Sequence, residues 1–242
     1  LHDTTRIFEN TLLLGNHAAL LKEILPTKKL GHVVTAASFG DVSVCCDEEY
    51  LPFREQSVDA VISCLSLHWV NDLPGALIQI QRSLKPDGLF LAVLPGPQTL
   101  RELRQSLEAA MLEVEKGIYP VVSPFVEVRD AGNLLQRCGY ALPVADSEMI
   151  TLSYDNPFKL MKEIRLMGEG NALIERKKQL SQRRLFERMG EIYHQNHTDG
   201  DNRIRATVEL VFLSGWKPHP SQQQPARRGS GNLSLVSVLK DC

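Results

Sequence analysis

The stretch from Asp47 to Pro74 constrains this chain more than any other. Asp47-Glu48-Glu49-Tyr50-Leu51-Pro52-Phe53 joins an acidic turn to an apolar anchor, and Val58 to Cys64 follows as an almost continuous apolar run. Such a run suits a parallel strand covered on both faces. It leads into Leu65-Ser66-Leu67-His68-Trp69-Val70-Asn71-Asp72-Leu73-Pro74, a polar and aromatic cluster. Ligands of open α/β sheets bind outside the carboxyl ends of the parallel strands, so Asp47 and His68 are expected to open onto one crevice.

Strand and helix patterns alternate around this stretch. Strands are expected at Thr11 to Leu14, His32 to Ala37, Val42 to Cys46, Val58 to Cys64, Leu89 to Leu94, Ile150 to Tyr154 and Arg205 to Trp216. Helical spacing marks Ala18 to Leu25, the residues after Asp72, Leu100 to Val114, Asp130 to Cys138, Pro157 to Met167 and Ile174 to Tyr193. Asp72 is placed to cap its helix, Gly139 to end another, and Lys85-Pro86-Asp87-Gly88 reads as a turn in which Gly supplies the positive φ. The link between the second and third strands is too short for a crossover helix. The alternation predicts an α/β fold with a doubly wound, seven-stranded sheet. It divides into residues 1–154, a helical insertion over 155–204, and returning strands over 205–242. Within the last part, an exposed arm is expected over 218–232 and a short strand over Leu233 to Leu239.

Composition narrows the classes. Lys and Arg number 27 against 29 Asp and Glu, so no global charge draws the chain to nucleic acid or an acidic membrane. No apolar run reaches the roughly 18 residues of a membrane span. The five cysteines, Cys45, Cys46, Cys64, Cys138 and Cys242, form no C-x-x-C pair and read as buried thiols in a reducing compartment. A chain that opens at Leu1 and enters a strand so soon is expected to have a further N-terminal segment before it.

The Asp47 to Phe53 turn resembles the adenine-holding turn of class I S-adenosylmethionine-dependent methyltransferases. That resemblance implies a cofactor pocket of Gly15, Asn16, Asp47, Glu48 and Leu65, with Asp47 accepting from the adenine amine and Glu48 offering its backbone amide. The alternative for Asp47 to Glu49 is an acidic surface turn. The first turn, Leu13-Leu14-Gly15-Asn16-His17-Ala18-Ala19, keeps one glycine of the family pattern and has Leu13 in place of its carboxylate. Ala36-Ala37-Ser38 stands where a ribose-binding acid is usual. Losing such hydrogen bonds costs about tenfold to a hundredfold in affinity, so S-adenosylmethionine binding is expected to be weak or lost.

A narrower resemblance rests on several blocks in order: Ser66 to Pro74, Leu84 to Gly88, Thr99 to Leu103, Ser123-Pro124-Phe125, Met167-Gly168-Glu169-Gly170-Asn171-Ala172, and Gly215-Trp216-Lys217 with Arg228-Gly229-Ser230. Together they are similar to the methyltransferase-like assembly factors of mitochondrial respiratory complex I and their alphaproteobacterial relatives. The resemblance implies a protein-modifying enzyme, an arginine hydroxylase acting on a complex I subunit. It implies a place on the matrix side of the inner membrane, peripheral to it, or in the cytoplasm of an alphaproteobacterium. It places His68 as a catalytic candidate and Trp69, Glu169 and Asn171 on the substrate side. A packed aromatic pair, with His68 bonded to Asp72, is the structural alternative. Three functions stay open: hydroxylation or methylation of a protein subunit, non-catalytic chaperoning on a degenerate fold, and small-molecule methyl transfer.

Other motifs carry less. Glu191, His194 and His197 share helical spacing that could chelate a metal, but their polar neighbours favour a solvated helix end, and no metal site is expected. Arg176 to Lys178 with Arg183, Arg184 and Arg188 could dock an acidic partner, although a solvated helix face is the commoner use of such a run. Hydrolase elbows and phosphate-binding loops are absent from the sequence.

Overall fold

The structure, a computed structural model, describes residues 5–179, 182–224 and 229–230. Seven strands, β1 (Phe8–Leu14), β2 (Leu30–Ala37), β3 (Val44–Cys45), β4 (Val58–Cys64), β5 (Leu84–Pro95), β6 (Ala141–Tyr154) and β7 (Ile204–Trp216), form one sheet in the order β3-β2-β1-β4-β5-β7-β6. Neighbours from β3 to β5 are parallel, and β7 runs antiparallel to both β5 and β6. Helices α1 (Ala18–Ile24), α2 (Leu73–Ser83), α3 (Arg101–Val114), α4 (Val128–Arg137), α5 (Pro157–Leu166) and α6 (Arg183–His197) join these strands. No described helix is long and apolar enough to cross a membrane.

Side-chain alternation along a strand explains the two layers. Leu12 and Leu14 enter the main core with Leu77 and Ile80 of α2 and Leu135 of α4, whereas Leu13 packs on the opposite face with Ala18 of α1. Asp72 caps α2 by accepting from the Gly75 N–H at 2.9 Å, an interaction typically contributing about 1 kcal/mol. Gly139 ends α4 with φ +82°, as its position requires. Between β2 and β3 the chain crosses without a helix, and β3 is reduced to Val44–Cys45.

Several expectations are corrected. Lys85 to Gly88 is a bulge inside β5, where the register slips between Val58 and Ala60 of β4, and the positive φ belongs to Asp87 at +64°. Arg6 and Gln222 hold the Asp87 carboxylate, which fixes the bulge. β6 starts at Ala141 instead of Ile150 and α6 at Arg183 instead of Ile174, because pairing with β7 and packing on α3 set those boundaries. Cys45 is exposed, because the two-residue β3 leaves it at the sheet edge; Cys46 and Cys64 are half-buried and Cys138 is buried. The expected strand at Leu233 to Leu239, Cys242, Arg228 and part of the arm lie outside the described residues.

The connection from β6 to β7 carries α5 and α6. Leu185, Met189, Ile192 and Tyr193 of α6 pack on Leu103, Leu107 and Met111 of α3, and buried Glu102 ties α3 to β7 by accepting from the Thr207 N–H and hydroxyl. Both helices thus stand beside the carboxyl ends of the strands. The opposite sheet face is sparsely covered around Leu91, Val93, Phe212 and Val144, which line an open cavity of about 320 Å³.

Candidate functional site at the carboxyl ends of the strands

Gly15 leaves β1 with φ +107°, its N–H donating to the Ala36 carbonyl at 2.8 Å. A Cβ there would lie 2.2 Å from the Ser66 Cβ, so the glycine accommodates Ser66 and leaves no open cradle at that point. Glu48, 7 % exposed, turns its side chain inward: the Ser66 hydroxyl donates to one oxygen at 2.7 Å and the Ser38 hydroxyl to the other at 3.1 Å. This serine–glutamate–serine bridge ties together the ends of β2 and β4. Asp47 is exposed and its carboxylate accepts from the Glu49 N–H, while Asn16 is exposed beyond the turn. Neither Asp47 nor His68 lines the 320 Å³ cavity or the smaller one of about 220 Å³ near Arg6 and Asp87. Burial, with help from Glu48, raises the pKa of the Cys46 thiol, and burial raises that of Cys64, so neither is poised as a nucleophile at neutral pH.

The other half of the site is built by a turn. Leu65, at φ +48°, bends the chain out of β4 with its N–H on the Val93 carbonyl, and fully buried Leu67 anchors a 3-10 turn over Leu67–Trp69. His68 and Trp69 then point toward the loop after α5. There Gly168, at φ +83°, reverses the chain: its N–H bonds the Arg165 carbonyl and that of Glu169 bonds Ile164, the two bonds of a glycine-ended helix terminus. This delivers the Glu169 carboxylate to His68 Nε2 at 3.0 Å, and the Trp69 Nε1–H donates to it at 3.4 Å.

The His68 side chain is 8 % exposed and its buried Nδ1 has no partner, whereas Glu169 is 32 % exposed and Trp69 37 %. Phe125 stands edge-on to His68 with ring centroids 6.1 Å apart. Asn171 lies away from this group; it donates to the Pro120 carbonyl at 2.9 Å and accepts from the Leu173 N–H, pinning the loop.

His68 therefore bonds Glu169, while Asp72 is engaged in capping. Glu191 pairs with Arg188, His194 meets Thr198, and His197 packs on Tyr193, so the three candidate ligands have separate partners. Sequence reasoning missed the inward carboxylate of Glu48 and the parts played by Ser38, Ser66 and Phe125. Ser66 and Phe125 sit inside blocks singled out above, but nothing local marks them.

A strand order of 3-2-1-4-5-7-6 with its antiparallel seventh strand defines a class I methyltransferase fold. Residues 20–92 match the family model described as a methyltransferase domain. The YcgJ protein of Bacillus subtilis superposes with a TM-score of 0.57 over 88 % of this chain and 94 % of its own, and a candidate methyltransferase of Bacillus halodurans with 0.55 over 90 % and 95 %. Both are 14 % identical and share the fold alone.

Sequence comparison is narrower, and the chain belongs to the arginine-hydroxylase NDUFAF5 family. It is 39 % identical over 251 residues to the mitochondrial arginine-hydroxylase NDUFAF5 of Danio rerio, spanning 99 % of this chain and 78 % of that one. With the Homo sapiens protein it shares 44 % over 199 residues, 82 % of this chain and 57 % of that one. A malonyl-[acyl-carrier protein] O-methyltransferase of Methylovorus is 35 % identical over 176 residues, 73 % of this chain and 57 % of the enzyme.

Proposed function

We propose that this chain is a protein-arginine hydroxylase that assists assembly of mitochondrial respiratory complex I, receiving an arginine side chain of a matrix-facing subunit at His68, Trp69 and Glu169. The observation that carries this reading is the half-exposed Glu169 carboxylate, held by His68 and Trp69 beside an accessible indole, in a chain of this family. A carboxylate has about four acceptor positions, and two are in use here. A guanidinium can take the others and lay its plane on the indole. His68 and Trp69 then orient the carboxylate, and Asn171 fixes the loop that carries it. Hydroxylation inserts one oxygen atom into a C–H bond, a two-electron oxidation that draws on dioxygen and an electron donor as co-reactants. The side chains named here account for binding and orientation of the arginine.

The crevice favours weak binding of S-adenosylmethionine, with exposed Asp47 kept at the adenine end and little left to hold the rest of the molecule. Ser66 occupies the space at Gly15, Glu48 is bonded on both sides, and the carbon side chains of Leu13 and Ala37 replace the usual acids. No step is therefore assigned to it. The seven-stranded sheet serves as the platform in this reading, and the connection carrying α5 and α6 as the cap that brings Glu169 to the mouth.

Mass spectrometry of the target subunit after incubation with the purified chain, dioxygen and a reductant tests the proposal. The expected result is a gain of one oxygen on arginine, lost in Glu169→Gln and His68→Ala; a methyl gain, or modification untouched by both variants, sinks it. The bonded crevice favours a second reading, a non-catalytic assembly platform. Under that reading the subunit associates with the chain but is released unmodified.

A further inference from the structure

We infer that the outer edge of β6 is a docking strand for an extended basic segment of a partner protein. This inference rests on the protein-substrate reading above and names how such a substrate is held. Among the described residues, β6 is the last strand of the sheet and pairs on one side only, with β7. Unpaired edges of this length are templates for another strand and are normally blunted by Pro, Lys, bulges or short length. Here the blunting lies mainly at the beginning of the strand, where Leu142 has φ +49°, Pro143 follows, and the register slips between Ala141 and Val144; further on, the Ser147 N–H donates to the Asp146 carboxylate at 2.8 Å, which leaves that carboxylate further acceptor positions. At the far end, Arg203 covers Ser153 by donating to its hydroxyl and carbonyl. Between these guards, residues 145–152 hold no Pro, Lys or Arg, and Met149, Ile150 and Leu152 are 59 %, 37 % and 38 % exposed.

Side-chain periodicity specifies the occupant. Asp146, Glu148, Ile150 and Leu152 share one face of the strand, an acidic half followed by an aliphatic half. That face adjoins the sparsely covered sheet surface at Phe212 and Val144. A second copy of β6 would bring four carboxylates and no β6 cation into one ribbon, which opposes self-pairing. A strand with two basic side chains and then two aliphatic ones complements both halves, with the backbone ladder supplying affinity.

The direction of β6 suits delivery to the site. It is antiparallel to β7, which is antiparallel to β5, so it rises toward the carboxyl ends of the parallel strands, and α5 then leads to Glu169. Four strand spacings, about 19 Å, separate a peptide on the outer edge of β6 from β4. Some six extended residues, about 20 Å, bridge that gap, so a peptide seated on 145–152 can place an arginine beyond its docked part at the mouth.

The test uses the whole chain and two synthetic peptides: Lys-Thr-Lys-Thr-Val-Thr-Val-Thr-Gly-Arg, and the same sequence with Glu for both Lys. Fluorescence anisotropy should show the basic peptide binding at least about tenfold more tightly, with amide-exchange protection of 145–152 on binding. The pair Asp146→Lys and Glu148→Lys should reverse the preference. Asp146→Asn with Glu148→Gln, a milder change, should abolish it with an unaltered melting curve. Equal affinity for both peptides, protection elsewhere, or concentration-dependent self-association through β6 overturns the docking strand. Subunit modification is followed separately. If it persists while 145–152 stays unprotected, the docking inference alone fails; if the basic peptide docks on β6 but no arginine is modified, the hydroxylase reading alone fails.

Discussion

The two halves of the site are built on opposite terms. On the crevice side the inward carboxylate is buried: Glu48 accepts from Ser38 and Ser66, and Ser66 stands against Gly15, while exposed Asp47 accepts from the Glu49 N–H alone. On the mouth side, Glu169 keeps acceptor capacity, Trp69 keeps an open face, and His68 keeps a buried nitrogen without a partner. Buried polar groups are ordinarily satisfied, so a closed set reads as architecture and an open one as a place where something else completes the bonding. In the function proposed above, the crevice serves as a structural joint and the rim receives the arginine.

The sharpest way to break this contrast is Gly15→Ala. The added methyl meets Ser66 at 2.2 Å on a backbone with φ +107°, so urea unfolding should show a loss on the order of 3 kcal/mol. Adding Ser66→Gly should recover only the steric part. A cradle open to ligand would accept the methyl with little change, and that result would reverse the reading.

Next in size is Glu48→Gln, whose amide can accept from one serine but offers no second oxygen. It should cost about 1 to 2 kcal/mol in the same assay, with binding of S-adenosylmethionine by calorimetry weak before and after. At the mouth, Glu169→Gln and Trp69→Ala should weaken an arginine-bearing peptide about tenfold, while stability moves by less than about 1 kcal/mol. A stability loss matching that of Glu48→Gln would make the mouth a structural joint too.

The smallest effect is a pH effect beside the cap. Burial, and then the hydrogen bond to Glu163, push the Tyr154 pKa from 10.0 up to about 12. A raised phenol pKa in the folded state means that the contribution is present below pH 10 and fades as pH rises from 10 through 12. Ultraviolet titration should show one late-ionising phenol missing from Tyr154→Phe, and the variant's stability should fall less steeply across that window.

What the sequence discloses tracks how local its cause is. β4 was legible to the residue because an apolar run bounded by turns admits one reading, and Asp72 and Gly139 announce helix ends by chemistry that acts within a few positions. The Lys85 to Gly88 composition serves a bulge as well as a turn, so β5 was read too short. Among Asp47, Glu48 and Glu49, nothing local says which carboxylate turns inward; the hydroxyls of Ser38 and Ser66 decide it through the fold. The partner of His68 lies 101 residues away, and only the Gly168 turn that aims it leaves a trace in the sequence.

The β6–β7 ribbon runs on past the top of β5, from Met149 opposite Glu209 to Tyr154 opposite Ile204, and the cap is strung between its two legs. A nick after Arg176 would therefore leave two fragments still clasped along the whole ribbon and along the α3–α6 seam. Expressed as separate pieces, the two should reassemble on mixing, with Glu169 carried at the tail of the first fragment on a strap released from its downstream anchor.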